Sequence, residues 1–208
     1  VVGGVCVNTG TIPSKTLREA VLHLTGYRQR GFYGDSYAVK QDIQMEDLLF
    51  RTDTVVKHEI DVVRHQLQRN RVEVIPAEAS FADSHTLNLA YTDGRGHRAA
   101  TAEHIVIAVG TIATMPEHIP FDGKRVLIAD DIYELDRLPR TITIVGAGVI
   151  GLEYASILAT LGVRVTMVEL SDQMLPFVDS EILDSLVYHL RKYRVTLRLG
   201  EAVEGIEP

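Results

Sequence analysis

The sequence predicts an α/β fold, and three observations carry that prediction. Two stretches in the first third of the chain repeat apolar side chains at helical spacing, short β-rich runs follow them, and from Thr141 a strand, a glycine-rich turn, a helix and a second strand succeed one another without interruption. The composition agrees: 46% of the 208 residues are hydrophobic and 24% charged, ordinary proportions for a globular protein with material for one large domain or two small ones.

Residues 14–30 read as a helix with Leu17, Val21 and Leu24 on one face, stopped by Gly31 and Gly34. Residues 45–70 form a second, longer helix in this reading, because Leu48, Leu49, Val55, Val56, Ile60, Val63 and Leu67 keep the helical period with charged residues between them. His58 and His65 on that helix are expected to face solvent. Their spacing is seven, not the roughly three or four that aims two imidazoles at one ion, so no metal site is expected.

Short strands are expected at 72–75, 79–82 and 86–91, with Asp93, Gly94, Arg95 and Gly96 supplying a turn, as a small antiparallel insertion. Residues 105–109, all apolar, read as a buried strand running into Gly110 and Thr111. That glycine either lets the backbone approach a ligand or simply ends a core strand. Pro116, Pro120 and Pro139 interrupt the pattern that follows, which places the domain crossing here and divides residues 1–115 from residues 116–208.

After Pro139 the signal is strong. Residues 141–145 read as a strand, Gly146, Ala147, Gly148, Val149, Ile150 and Gly151 follow at once, residues 149–161 read as a helix, and residues 163–169 as the next strand. This is the dinucleotide-binding βαβ pattern, and its logic is physical. Gly146 permits a tight turn, Gly148 lets a pyrophosphate reach the backbone, Gly151 allows helix and strand to pack closely, and the helix N-terminus faces the anion. Glu169 ends the second strand, where a carboxylate accepts hydrogen bonds from both ribose hydroxyls and repels a 2′-phosphate, so the expected preference is for NAD(H). Leu170 to Met174 contain no Arg or Lys to neutralise an NADP phosphate. A helix over 179–194 and a strand over 195–199 complete the elements.

A formal charge of −7 without a clustered basic stripe argues against nucleic acid or an anionic membrane as the main partner. No apolar run approaches the roughly 20 residues needed to span a bilayer, and a reducing cytoplasm is the expected location. Cys6 is the only cysteine. No disulfide can form within the chain and no dithiol relay can operate in it. A lone cysteine is expected to be a small buried hydrophobe, and packing against a flavin would suit it equally well.

Gly3, Gly4, Cys6, Gly10, Ile12, Pro13, Ser14 and Lys15 fit the redox-disulfide motif Gly-Gly-x-Cys-x-x-x-x-Cys-x-Pro-Ser-Lys of the flavoprotein disulfide reductases, except that Thr11 stands at the second cysteine. The chain thus resembles that family of two-dinucleotide-binding flavoproteins, which includes glutathione reductases and dihydrolipoamide dehydrogenases. Its Gly-Thr-Ile-Pro-Ser-Lys run is most similar to the branch of soluble (Si-specific) pyridine nucleotide transhydrogenases. The similarity extends through residues 153–157 and 184–189, nearly the whole chain. It implies a glutathione-reductase-like FAD/NAD(P)-binding architecture, with a partial FAD domain over 1–115 and a partial Rossmann NAD domain over 116–208. The chain is accordingly expected to be an internal piece of a longer, homo-oligomeric protein and to be inactive alone.

The same resemblance implies residue roles and an activity. Lys15 matches the lysine beside flavin N5, and Glu153 the glutamate that pairs with it near the nicotinamide. Gly4, Val5, Cys6 and Thr11 match the segment along the flavin, Ala79 a backbone contact to the adenine portion, Val109, Gly110 and Thr111 a flavin-side turn, and Val203 a contact to the NAD adenosine. The implied cofactors are FAD, NAD and NADP, and the implied reaction is flavin-mediated hydride exchange between NADPH and NAD. Two alternatives are an NADH diaphorase or quinone reductase similar to dihydrolipoamide dehydrogenase, and a noncatalytic NAD(H)-binding module or redox sensor.

Overall fold

A computed structural model describes residues 2–207; Val1 and Pro208 lie outside the described residues. The chain opens with a short helix α1 (Gly4–Asn8) and passes at once into α2 (Thr11–Leu24). α2 begins three residues earlier than the sequence suggests, because Pro13 lies in the first turn, where a missing N–H removes no intrahelical bond. It also ends earlier. Gly26 adopts φ +63°, and a Cβ there would meet the Tyr37 ring at 2.5 Å, so a glycine breaks the helix well before Gly31. A 3-10 turn, Tyr27–Gln29, and a single-turn helix α3 (Arg30–Tyr33) take the remainder of the expected helix.

α4 (Met45–Arg69) runs as predicted and starts at a capping box in which the Gln44 N–H donates to Asp47 Oδ2 at 2.8 Å. Met45 and Leu48 pack against Leu17, Ala20 and Val21 of α2 in one apolar cluster, whereas no residue of α4 beyond Thr52 is buried. His58 and His65 are exposed.

The antiparallel insertion consists of β1 (Ala77–Phe81), β2 (Thr86–Tyr91) and β3 (His97–Thr101) in the order β1-β2-β3. β3 is absent from the sequence reading, since His-Arg-Ala-Ala-Thr carries little β propensity; pairing of Ala90 with His97 and Thr86 with Thr101 supplies it instead. Two expected strands do not form. Residues 72–75 are irregular, and residues 105–109 are neither paired nor buried, with Val106 87% and Val109 89% exposed. Apolar composition alone makes no strand where no ladder partner meets the backbone.

Residues 102–128 lack regular structure, and a 3-10 segment, Ala129–Glu134, leads to the second sheet. There β4 (Thr141–Val145), α5 (Val149–Thr160), β5 (Arg164–Glu169), α6 (Ser180–Lys192) and β6 (Thr196–Leu199) build a parallel sheet in the order β4-β5-β6. Ile144 pairs with Met167, and Met167 with Leu197. Asp179 caps α6, its Oδ1 accepting from the Glu181 N–H at 2.9 Å.

α5 is the middle layer. Leu152, Ala155, Leu158 and Ala159 are buried, and the helix contacts both β5 and α2. A helix covered on opposite sides must be apolar nearly all round. The core is therefore continuous from Leu17 and Leu48 through Ala155 and Leu158 to Val165 and Met167. This layering brings the polar first turn of α2 against the side of α5.

Candidate active site

The polar contact between the two helices centres on Glu153, on the second turn of α5. Its Oε1 accepts from Lys15 Nζ at 2.5 Å, and its Oε2 lies 3.4 Å from Ser14 Oγ. Consecutive residues of α2 thus meet the two oxygens of one carboxylate. The surroundings of the partners differ: the Lys15 side chain is 59% exposed, the Glu153 side chain only 17%, and Ser14 is buried. The carboxylate is enclosed by the two helices while the stem of Lys15 reaches solvent. The adjacent Tyr154 is buried and shares a 2.8 Å hydrogen bond with Tyr133. Burial raises the titration of both phenols, so the pair stays neutral and pins the 3-10 segment to α5.

A second cluster surrounds the glycine-rich turn. Gly146 holds φ +101°, and its N–H donates to the Val168 carbonyl at 2.8 Å. A Cβ on Gly151 would sit 2.3 Å from the Gly146 carbonyl oxygen, which is why helix and strand can close here only on a glycine. Gly148 caps α5 without a side-chain hydrogen bond, no acidic residue occupies the first turn, and Gly148, Val149 and Ile150 are exposed. No side chain caps this helix end, so the amides of its first turn stay open.

Glu169 closes the turn from the other side. Its Oε2 accepts from the Ala147 N–H at 2.7 Å and its Oε1 from the Ser171 N–H at 3.0 Å. These amide bonds, Ala147 foremost, hold its carboxyl below the usual carboxylate range. A carboxylate has about four acceptor positions, so two remain for hydroxyl donors.

The structure brings Lys15 to Glu153 and Glu169 to the glycine turn. Gly4, Val5 and Cys6 lie exposed on α1, and Thr11 is exposed at the start of α2. The exposure of Cys6 corrects the expectation of a buried hydrophobe: α1 is a five-residue helix with only Val7 turned inward. Val109, Gly110 and Thr111 are exposed, with Gly110 at φ +69°. Ala79 is an exposed position of β1, and Val203 lies 42% exposed beyond β6. Ser14 is a site residue that the sequence does not single out by itself. The signal was its place beside Lys15, but its direction depends on where α5 lies.

No group of three or more His, Cys, Asp or Glu side chains among the described residues could hold a metal ion, and no described helix is long and apolar enough to cross a membrane.

Residues 1–208 match the family model described as pyridine nucleotide-disulphide oxidoreductase. The chain is 52% identical over 205 residues to the soluble pyridine nucleotide transhydrogenase of Mycobacterium tuberculosis and 40% identical over 206 residues to that of Colwellia psychrerythraea. Both alignments take in 99% of this chain but 44% of the relative, so the chain spans less than half their length. Among solved structures, LpdA from Mycobacterium tuberculosis superposes with a TM-score of 0.88 at 26% identity, over 98% of this chain and 44% of that one. The HOCl-induced flavoprotein disulfide reductase RclA from Escherichia coli superposes with a TM-score of 0.75 at 28% identity, over 98% and 42%. The expected glutathione-reductase-like α/β architecture is the one these flavoproteins share.

Proposed function

The chain belongs to the pyridine nucleotide-disulphide oxidoreductase family, and from that premise we propose that the full-length protein exchanges hydride between NADPH and NAD through FAD. The observation that carries this reading is the Lys15–Glu153 pair beside a motif whose second thiol position is Thr11. A threonine hydroxyl neither forms a disulfide nor leaves as a thiolate. What the motif retains is a cation and its carboxylate, the parts that serve a flavin rather than a disulfide.

The residues fit both cofactors. The turn at Gly146–Gly151 has the left-handed glycine, the close helix–strand approach and the open helix N-terminus that a pyrophosphate requires. The exposed face of α1, Thr11 and the largely exposed Lys15 suit an aromatic ring that gains negative charge on reduction. FAD supplies the ring that accepts and returns hydride. In this reading Lys15 places positive charge beside that ring, and Glu153 offsets the cost of desolvating the ammonium. The first turn of α5 holds the nicotinamide nucleotide by its pyrophosphate, Glu169 holds its ribose, and neither Lys15 nor Glu153 exchanges a proton with substrate. Orientation and local charge are then the protein's contribution.

Stopped-flow spectra of the full-length protein test the proposal. NADPH should bleach the flavin and NAD should restore it, and Glu153→Gln should slow bleaching by about tenfold or more. A flavin that NADPH does not reduce would end this reading. Glu169 favours a second one, in which NADH is the donor and a quinone the acceptor, because a carboxylate at the ribose opposes a 2′-phosphate. Turnover of NADH with quinone exceeding that of NADPH with NAD would select it.

A further inference from the structure

We propose that the recess at the C-terminal end of α5 binds a small molecule carrying two or more phosphate groups. The inference goes beyond the hydride-exchange reading and does not depend on it.

Arg30, Lys40, Arg164, Lys192 and Arg194 line one recess of about 620 Å³, and Asp42 is the only carboxylate among its lining residues. The cations come from three separate parts of the chain: the connection between α2 and α4, the start of β5 and the end of α6. No basic stripe therefore shows in the sequence, and a chain of net charge −7 gathers these groups only by folding. Like charges around one recess repel one another, and an anion placed among them relieves that repulsion.

Ordinary roles account for part of the cluster. Lys192 and Arg194 stand at the end of α6 and Arg164 follows α5, where a cation offsets the carbonyl end of a helix. Lys40 is held by Asp47, Nζ to Oδ1 at 2.5 Å. Arg30 is different. Its Nε donates to the Thr25 and Tyr37 carbonyl oxygens at 3.2 and 3.3 Å, which fixes the plane of the guanidinium, while its two terminal nitrogens have no protein partner among the described residues. A half-buried arginine is thus preset as a fork for an oxyanion, with part of its ordering cost already met by the chain. Arg30, Arg164, Lys192 and Arg194 make no ion pair among the described residues.

The remaining walls suit the same ligand. Tyr193 lines the recess, and burial, then the Tyr27 phenol beside it, push its own phenol up to about 12, so it stays a neutral donor at pH 7. Ala159 and Val163 are buried beneath. The volume lies within the roughly 300–1,000 Å³ of small-molecule sites. A single carboxylate answers one of these cations, whereas the oxygens of a diphosphate answer several. The recess is also separate from the glycine turn, since α5 has 12 residues and spans about 18 Å between the two.

Isothermal titration calorimetry of the full-length protein, loaded with FAD and saturated with NAD so that the dinucleotide sites do not take up the probe, tests the proposal with inorganic pyrophosphate. Pyrophosphate should bind, and inorganic phosphate should bind about tenfold more weakly because it reaches fewer of the cations. Arg164→Gln combined with Lys192→Gln removes two exposed charges from the recess and should weaken pyrophosphate binding by about tenfold or more. Arg30→Lys keeps the charge, loses the fork and should cost about fivefold. Arg51→Gln combined with Arg69→Gln takes the same charge from the exposed side of α4 and should leave the affinity within about twofold. Thermal unfolding midpoints close to that of the wild type identify the variants in which a lost affinity is a property of the recess.

No binding of pyrophosphate by the wild type would overturn the inference. So would equal losses from the recess and the α4 substitutions, or an affinity that the recess substitutions leave unchanged, which would put the anion elsewhere. Flavin reduction enters none of these measurements, so failure of the hydride-exchange reading and failure of this one are told apart.

Discussion

Residues 105–109 run into Gly110, and β4 runs into Gly146; both runs are short and rich in β-branched residues, and both glycines are left-handed, at φ +69° and +101°. Only β4 lies in a sheet. Its backbone pairs with β5 from Thr141 opposite Arg164 to Val145 opposite Val168, and α5 covers its neighbour β5. The other run has no ladder and its side chains are open, Ile107 at 70% and Ile112 just beyond at 95% exposure. The turn glycine is thus a local property that survives without a sheet, whereas the strand is made by its partner.

The comparison can be broken most decisively by hydrogen exchange. Amides of β4 and β5 should exchange more slowly than those of residues 105–109 by a factor on the order of 10³, because the first open only with the core and the second are already open. Equal protection would mean that something covers the apolar run. Substitution of the glycines comes next. Gly151→Ala drives a methyl group into the Gly146 carbonyl at 2.3 Å and should destabilise the protein by about 3 kcal/mol in denaturant titrations, together with loss of NAD(H) binding. Gly110→Ala meets no atom within 4 Å and bears only the left-handed conformation, about 1 kcal/mol.

The smallest effect is electrostatic. Glu169 clamps the Gly146 turn through the Ala147 amide, and its carboxyl titrates below its ordinary 4.5. A carboxyl lowered by folding stabilises the protein above that ordinary value, and the contribution is lost as pH falls through the lowered one. The stability difference between the wild type and Glu169→Gln should therefore be flat above about pH 5.5 and shrink below about pH 4.5. A difference that grows on acidification would show that the turn does not rely on the ionised carboxylate.

The helical period of residues 45–70 reproduces α4 nearly to its ends, and the order strand, glycines, helix, strand reproduces β4, α5 and β5 within a residue at each boundary. These elements were legible because their signals are local: side-chain spacing, a glycine where φ is positive, a carboxylate at a strand end. β3 and the failed strand at 105–109 were not, since a strand depends on what lies opposite it. The early end of α2 was hidden for a related reason, because Gly26 differs from Gly31 in its left-handed φ of +63° and in having Tyr37 folded over it, and neither shows in the local sequence.

The same division runs through the candidate site. By itself the sequence determined that there is one thiol, that the second thiol position of the motif is Thr11, and that Gly146, Gly148 and Gly151 open a helix. Covalent chemistry and backbone sterics decide those matters within a few residues. Only the tertiary structure decided that Ser14 and Lys15 take opposite oxygens of a carboxylate more than a hundred residues away, at 3.4 and 2.5 Å. That meeting requires α5 to be buried between α2 and the parallel sheet, and the layering comes from apolar surface removed from water across the whole core rather than from any one segment.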